Sequence, residues 1–94
     1  MKKKNKIGKL ARKLEIIGDT NRLRIMCVIF ENRKICVSKI ARKLKLSVAV
    51  ASHHLNVLAK EGILQSSRDG KMICYHLKKE SFISELKNLI CKYK

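Results

Sequence analysis

The sequence predicts a small, mainly α-helical domain that carries one β-hairpin. Its 94 residues suit a single domain, because domains commonly contain about 100–150 residues. Apolar residues recur at spacings of three and four in five separate segments, which is the period of amphipathic helices. One Asp-Gly pair lies between two extended segments, and such a pair is the strongest short-range signal for a hairpin. We therefore expect residues 1–94 to form one domain of five helices and a hairpin.

The first two predicted helices differ in how widely their apolar residues are spread. Residues 1–6 are rich in lysine and are expected to form a basic arm. The first helix follows, and its apolar side consists of Ile7, Leu10, Leu14 and Ile17. Gly18 ends this helix, and Asp19 or Thr20 can cap the next one by accepting a hydrogen bond from a first-turn amide. Residues 23–30 are apolar on nearly every side, which is typical of a central, buried helix.

Two short helices joined by a tight turn come next. The third helix is predicted over residues 36–44, after a short strand that begins at Ile35, and the fourth over residues 48–61. Ser47 is a good N-terminal cap for the fourth helix, and Gly62 is a typical C-terminal stop. The inward face of the fourth helix consists of residues at helical spacing: Ala51, Leu55 and Leu58. This pattern is the helix-turn-helix arrangement.

A hairpin and a last helix complete the predicted fold. Residues 63–68 and 71–77 are extended on either side of Asp69-Gly70, and the last helix starts near Lys79. Its apolar stripe consists of Phe82, Ile83, Leu86, Leu89, Ile90 and Tyr93. Since the last helix has no later element to pack against, we expect a homodimer through the first and last helices. The order of the elements is that of a winged helix-turn-helix, a mainly α fold with a β wing.

The charge balance points to a polyanionic partner. Lys and Arg number 23 and Asp and Glu number 7, which gives a formal net charge of +16 at pH 7. Nucleic acid is the default partner for such a domain, and an anionic membrane surface is the competing one. The sequence has no apolar run of the roughly 18 residues that a membrane span needs, and no apolar secretory segment follows its basic start. We therefore expect a cytoplasmic protein without a membrane partner, whose four cysteines are reduced thiols.

Several short motifs occur in an order and spacing typical of one family. They are Gly18-Asp19-x-x-Arg22-Leu23-Arg24-Ile25, Ile40-Ala41 with Leu44, Leu46-Ser47, Ser52-x-His54-Leu55-x-x-Leu58, Glu61-Gly62-Ile63-Leu64 and Arg68-x-Gly70-x-x-x-x-Tyr75-x-Leu77. Through them, residues 14–77 resemble the arsenic-repressor type (ArsR/SmtB family) of bacterial transcriptional regulators. The resemblance implies a homodimer that binds a palindromic operator in double-stranded DNA through the second helix of the helix-turn-helix. It also implies release from the operator by a small inducer.

The start of the fourth helix carries the predicted base-reading residues, which are Ser47, Val48, Ala49, Val50, Ser52 and His53. The two serines can bond phosphates or base edges, and His53 is favoured as a DNA contact over a solvated residue. Val48 departs from the polar residue, often Gln, that is usual in the family. We therefore expect contacts with thymine methyl groups plus shape readout at this point. His54, by contrast, is expected to face the scaffold.

Basic residues outside the fourth helix are predicted to hold the DNA backbone. Arg68 and Lys71 lie beside the hairpin tip, from which they can reach the minor groove or its phosphates. Four residues in and just after the third helix can hold the backbone in the same way: Lys39, Arg42, Lys43 and Lys45. Each alone is better explained as a solvated charge, but together they predict a steep salt dependence. Because charge alone suffices for coating DNA, a non-specific basic DNA-coating protein stays an alternative.

Metal ligands for the implied inducer are scarce in this sequence. One metal site of the family is a Cys-x-Cys pair at the start of the third helix, where this chain has Cys36-Val37-Ser38 and so lacks the second sulfur. The last helix, where another family site lies, contains no His and only Glu80 and Glu85 as acids. We therefore predict no metal site and no cofactor. A metal-responsive repressor with a non-standard site stays the alternative.

Cys27 and Cys91 match a different sensing branch of the family. Their positions on the second helix and near the end of the last resemble the dithiol of its persulfide- and peroxide-responsive members. There, oxidation or sulfane sulfur links the two thiols and weakens DNA binding. The alternative for Cys27 is a plain core residue, and Cys36 and Cys74 are expected to be packing residues. The sequence contains no nucleophile–base–acid set and no phosphate loop, so we predict no catalytic residues and no enzyme activity.

Overall fold

The structure is a computed structural model that describes the backbone of residues 2–93 and the side chains of residues 6–93. Within that part of the chain, five helices and three strands follow one another. They are α1 (Lys2–Ile17), α2 (Thr20–Phe30), β1 (Ile35–Cys36), α3 (Val37–Leu44), α4 (Val48–Lys60), β2 (Leu64–Asp69), β3 (Met72–Leu77) and α5 (Ser81–Cys91). The order confirms the predicted winged helix-turn-helix. Among residues 2–93, no helix combines the length and the apolar character that crossing a membrane requires.

The first helix is longer than predicted. α1 begins at Lys2, so residues 2–6 of the expected arm have a helical backbone, while Met1 lies outside the described residues. Lysine is a good helix former, and neither Gly nor Pro separates these residues from the amphipathic stretch. Asp19 caps α2, because its Oδ2 accepts a hydrogen bond from the Arg22 amide at 3.1 Å. Of the two predicted candidates, Asp19 is therefore the cap, and Thr20 is the first residue of α2.

α2 is the central helix, as its apolar sequence predicted. It packs against α1, α3, α4, α5 and β3. Ile25, Met26 and Ile29 of α2 have no exposed surface, and they belong to the same core as Leu55 and Leu58 of α4. The predicted inward face of α4 is therefore confirmed. This shared core fixes one side of α4 on the scaffold, so that its opposite side faces outward.

The hairpin turns one residue later than predicted. The register runs from Leu64 opposite Leu77 to Asp69 opposite Met72, so the two-residue loop is Gly70-Lys71. Gly70 has a φ of 67°, and a glycine with positive φ at the first loop position is typical of a type II′ turn. Asp69 is therefore the last residue of β2, and the hairpin tip carries Gly70 and Lys71.

β1 adds a third strand that links the hairpin to the helix-turn-helix. In residues 2–93 the strand order is β1-β3-β2, with antiparallel pairing throughout. Cys36 of β1 lies opposite Cys74 of β3, and a disulfide bond joins them. The expectation of four reduced thiols is wrong for this pair, which is cross-linked and not merely packed. The reason is that the register of a two-residue strand on a distant hairpin is not encoded in either segment alone. Among the described cysteines, Cys27 and Cys91 are free.

Candidate nucleic-acid interface

A tight turn between α3 and α4 sets the direction of α4. Lys45 closes α3 in the left-handed conformation with a φ of 57°, and the Leu46 amide donates to the Ala41 carbonyl at 2.9 Å. Ser47 then caps α4, because its Oγ accepts a hydrogen bond from the Val50 amide at 3.1 Å. Capping uses only a lone pair of the oxygen, so the Ser47 hydroxyl can still donate its hydrogen to a DNA oxygen.

The first turns of α4 present small and apolar side chains to solvent. Val48 and Val50 are 54% and 41% exposed, and Ala49 and His53 are exposed as well. Ser52 is half-buried at the edge of this surface. The structure therefore brings the predicted base-reading residues to one outward side of the helix-turn-helix.

The hairpin tip and the start of α4 border one shallow hollow of about 270 Å³, which we call the shared hollow. Lys71 at the tip lines this hollow together with Val48 and Ser52 of α4. Met72 and Ile73 of β3 also line it, and they are 47% and 41% exposed. Sequence reasoning missed these two residues, because consecutive exposed apolar residues break the alternation that would reveal the outward face of a strand.

Exposed basic residues lie on the elements next to this surface. Lys39 and Arg42 on α3 are exposed, while the other side of α3 is buried through Ile40, Ala41 and Leu44. Arg68 near the end of β2 and Lys71 in the loop are exposed too. We call Lys39, Arg42, Arg68 and Lys71 the flanking cations. They lie on α3 and the hairpin, the two elements that line the hollow together with α4.

His54 holds α4 against α2, as the sequence predicted. Arg22 Nε donates to His54 Nδ1 at 3.2 Å, and Arg22 Nη1 donates to the Ile16 carbonyl at 2.9 Å. Burial lowers the pKa of His54, against the opposing effect of the Asp19 carboxylate, whose Oδ2 lies 3.8 Å from Nδ1. His54 is therefore a neutral acceptor, which is the form that the hydrogen bond from Arg22 requires.

Tyr75 anchors the hairpin to α4. Its hydroxyl donates to Asn56 Oδ1 at 3.1 Å, and its side chain is almost fully buried. Burial raises the pKa of Tyr75, so the phenol keeps its proton and stays a donor. Arg24 makes a matching link from α2 to the turn by donating to the Leu44 carbonyl at 3.0 Å. The position of α4 is thus fixed from both the core helix and the hairpin.

Large apolar side chains are also exposed on α1 and around the end of α5. They are Ile7, Leu10, Leu14, Leu89 and Tyr93, with exposed fractions between 42% and 84%. A hollow of about 420 Å³ between α2 and α5 is lined by Leu23, Cys27, Leu86, Leu89, Ile90 and Tyr93. The half-buried Cys27 thus borders this hollow, whereas Cys91, the last residue of α5, is exposed and outside the described lining.

The histidines do not assemble into a metal site. His54 is bonded to Arg22, and His76 Nε2 lies 2.9 Å from Gln65 Oε1 across the hairpin. Within residues 6–93, no three His, Cys, Asp or Glu side chains come together in a way that could hold a metal ion.

Comparison with known proteins identifies the family. The model of bacterial regulatory proteins of the arsR family matches residues 19–66, from the cap of α2 into β2. This chain belongs to the ArsR family. The cadmium resistance transcriptional regulatory protein CadC of Listeria innocua is 42% identical over 64 residues, which cover 68% of this chain and 54% of CadC. An HTH-type transcriptional regulator of Methanocaldococcus jannaschii is 38% identical over 72 residues, which cover 77% of this chain and 81% of that protein.

Solved structures share the fold of this ArsR-family chain. Reduced HlyU from Vibrio cholerae superposes with a TM-score of 0.87 at 22% identity, over 98% of this chain and 96% of HlyU. By length, the chain spans about half of the cadmium-resistance regulators that it matches, 54% in each of two cases.

Proposed function

We propose that this ArsR-family protein is a homodimeric transcriptional repressor that binds a palindromic operator in double-stranded DNA. The observation that carries the proposal is the shared hollow, where the exposed start of α4 meets the basic hairpin tip. A helix fits the major groove, in which every base pair presents a distinct pattern of donors, acceptors and methyl groups. A basic hairpin beside that helix can contact the backbone and the neighbouring minor groove.

Base reading in this proposal is mainly apolar. Val48 and Val50 cannot make bidentate hydrogen bonds, but they can contact the methyl group of thymine. Met72 and Ile73 extend the same apolar surface onto the hairpin. His53 adds a polar contact beside them. We therefore expect operator half-sites that contain A·T pairs, read by methyl contacts and by DNA shape.

The flanking cations supply affinity without sequence preference. Each phosphate that a cation neutralises contributes about −0.9 to the slope of log affinity against log salt. Four exposed cations on each protomer therefore predict a steep slope for a dimer. Their contacts fix the orientation of α4 on the duplex, while α4 itself selects the bases.

The exposed apolar stripes of α1 and α5 supply the dimer interface. A two-fold dimer uses the same surface on both subunits, which suits a face formed by two helices of one chain. Such a dimer presents two α4 helices to two half-sites about one helical turn apart, and this accounts for a palindromic operator.

For the inducer, the proposal is a dithiol formed by Cys27 and Cys91. Cys27 borders the hollow between α2 and α5, and Cys91 is an exposed thiol on α5. A peroxide would accept two electrons and two protons from the thiols, leaving a disulfide and two hydroxyl products. With a persulfide donor, one sulfane sulfur would be inserted between the two thiol sulfurs, and a second would take up the two electrons and two protons and leave as hydrogen sulfide. Either bridge ties α2 to α5, so it alters the dimer face and thereby the spacing of the two α4 helices. HlyU, which has this fold, has been solved in its reduced form.

A metal inducer is the second candidate. It is favoured by the 42% identity to CadC, a protein named for cadmium resistance. The metal would bind at a site that differs from the family's Cys-x-Cys pair, since Ser38 stands where the second sulfur would be.

The test is selection of duplexes from a random library by the reduced protein at physiological salt. We expect a palindromic motif that is bound about 10³-fold or more tightly than random duplex. A ratio near one would mean that the protein coats DNA without sequence preference. Val48→Ala should change the selected bases at one position of each half-site, whereas Lys60→Ala, at the far end of α4, should select the original motif.

The inducer is tested on the selected duplex. Peroxide or persulfide should release the unmodified protein and should leave Cys27→Ser bound. Cadmium ions should not release the reduced protein. Release by cadmium that persists in Cys27→Ser would favour the metal candidate over the dithiol.

A further inference from the structure

The bond between Cys36 and Cys74 lies at the joint between the helix-turn-helix and the wing. β1 contains only two residues, and their partners in β3 are Tyr75 for Ile35 and Cys74 for Cys36. Cys36 is also the N-cap residue of α3. One covalent bond therefore connects the first residue before the helix-turn-helix to the inner strand of the hairpin.

This joint lies next to the proposed DNA surface. Val37 follows Cys36 and Ile73 precedes Cys74, and both line the hollow that Lys71 and Val48 border. A change in how β1 holds β3 therefore acts directly on the wall of that hollow. It also acts on the rest of the hairpin, which carries two of the flanking cations, Arg68 and Lys71.

A third side chain, Ser67, completes the site. Ser67 of β2 lies opposite Cys74, which in turn lies opposite Cys36, so the three residues form one row across the sheet. Directly opposite residues of antiparallel strands point to the same face. Among the described residues, Ser67 Oγ is buried and lacks a hydrogen-bond partner, which is a costly arrangement. A Cys74 thiol or thiolate would give that hydroxyl a partner.

We propose that Cys36, Cys74 and Ser67 form a reversible thiol–disulfide site that takes low-molecular-weight thiols and sets the position of the wing. It is separate from the Cys27–Cys91 dithiol. Its effect on DNA affinity rests on the proposed function. The bridged form holds the wing against α3, and the reduced form holds it less tightly.

The burial of the two sulfur-bearing residues gives the order of the reduction steps. Cys74 has no exposed surface whereas Cys36 is half-buried, so an entering thiolate attacks the sulfur of Cys36. The bond to Cys74 breaks, its electron pair stays on the Cys74 sulfur, and that sulfur takes up a proton beside Ser67. A second small thiolate then attacks the mixed disulfide at the sulfur of the small thiol and frees Cys36. In total, two small thiols become one small disulfide, and the protein disulfide becomes two thiols.

Reduction leaves the wing with weaker attachments. The bond from Tyr75 to Asn56 and the packing of β2 on α4 persist, but β1 keeps only backbone pairing over two residues. Arg68 and Lys71 must then be ordered when DNA binds, and ordering such side chains opposes association. We expect the reduced form to bind the selected duplex about tenfold more weakly than the bridged form. Oxidation here strengthens binding, whereas oxidation of the other pair weakens it.

The experiment uses the full chain with Cys27→Ser and Cys91→Ser, so that only the bridging pair can react. The protein is equilibrated in buffers of reduced and oxidised glutathione. Its free thiols are then trapped with an alkylating reagent, and the number of alkylated cysteines is measured by mass spectrometry. Both cysteines should become alkylated together, hydrogen exchange of the β2 and β3 amides should quicken, and affinity should fall about tenfold. The control Cys36→Ser, at a half-buried position, should behave like the reduced form in every buffer.

Ser67→Ala supplies a readout that a merely structural bond would not give. It removes the partner of the Cys74 thiol and also the orphan hydroxyl of the bridged form, so both effects favour the bridge. The reduced-to-bridged ratio at fixed glutathione should fall about threefold or more. The proposal is overturned if the pair stays unbridged in oxidised glutathione, or if the two forms share the same wing exchange rates and the same affinity. If neither the reduced nor the bridged form prefers the selected duplex over random DNA, the proposed function fails. The hydrogen-exchange rates of the β2 and β3 amides then show on their own whether the disulfide controls the position of the wing.

Discussion

Neutralising the two exposed cations of the hairpin tests how the proposed repressor binds DNA. Arg68→Ala with Lys71→Ala removes two exposed cations from each protomer, and therefore four from a dimer. At about 0.9 per phosphate contact, the slope of log affinity against log salt should become shallower by about 3.6. As the salt concentration rises from about 50 mM to 200 mM, the ratio of the DNA affinity of the unmodified protein to that of the variant should fall by about 150-fold.

The measurement is fluorescence anisotropy of a labelled operator duplex over a series of salt concentrations. The control is Lys60→Ala with Lys87→Ala, which removes the same charge from exposed positions on α4 and α5 that lie outside the shared hollow. Long-range attraction depends on net charge and would weaken equally in both variants. Phosphate contacts release counterions locally, so only the tip variant should lose slope.

Two results would refute this reasoning. If the tip variant keeps the slope of the unmodified protein, the wing does not reach the phosphates. If the slope of log affinity against log salt falls equally in both variants, the charge acts at long range only, and the cations of the hairpin make no direct phosphate contacts.

Three further predictions concern the cap, the His54 contact and the dimer face. Ser47→Ala should lower the free energy of unfolding in urea by about 1 kcal/mol, whereas Ser47→Asp should keep the cap and the stability but weaken DNA binding by charge repulsion. The lowered pKa of His54 means that the unfolded chain takes up the proton first, so stability should fall as the pH drops through about 6.5. His54→Asn, which can still accept from Arg22, should flatten that part of the pH profile, and an unchanged profile would contradict the assignment. Leu14→Glu, at an exposed position, should give a folded monomer in sedimentation experiments, and a persisting dimer would exclude this face.

Periodicity and capping made the helical part of the fold predictable. The spacing of Ala51, Leu55 and Leu58 determines which side of α4 is buried, because residues three and four apart share a helix face. Serine directly before a helix is among the preferred N-terminal caps, so the capping role of Ser47 follows from local chemistry. The exposed surface of α4 could be predicted for the same reason, since it is the complement of the buried side.

Features that depend on distant contacts were not predictable. The opposition of Cys36 and Cys74 follows from the docking of a two-residue strand on a hairpin, and a segment of that length has no pattern of its own. The exposure of Met72 and Ile73 was not predicted, because two consecutive apolar residues in a strand have the same sequence pattern whether they are exposed or buried. The loop is Gly70-Lys71, one residue later than the expected Asp69-Gly70. The sequence allows both, because glycine is suited to the second position of one type of two-residue loop and to the first position of another.

The two proposed thiol sites act on different parts of the proposed DNA-binding dimer. Cys27 and Cys91 lie on α2 and α5, so a bridge between them changes the dimer face and the distance between the two α4 helices. Cys36 and Cys74 join the start of α3 to the wing, so their bond changes how the wing lies beside α4 in each protomer. The exposed Cys91 meets an oxidant first, whereas the buried Cys74 exchanges only through Cys36. A brief exposure to oxidant should therefore bridge Cys27 and Cys91 and release the operator. While Cys27 and Cys91 stay reduced, the concentration of small thiols should set the affinity for the operator through the Cys36–Cys74 bond.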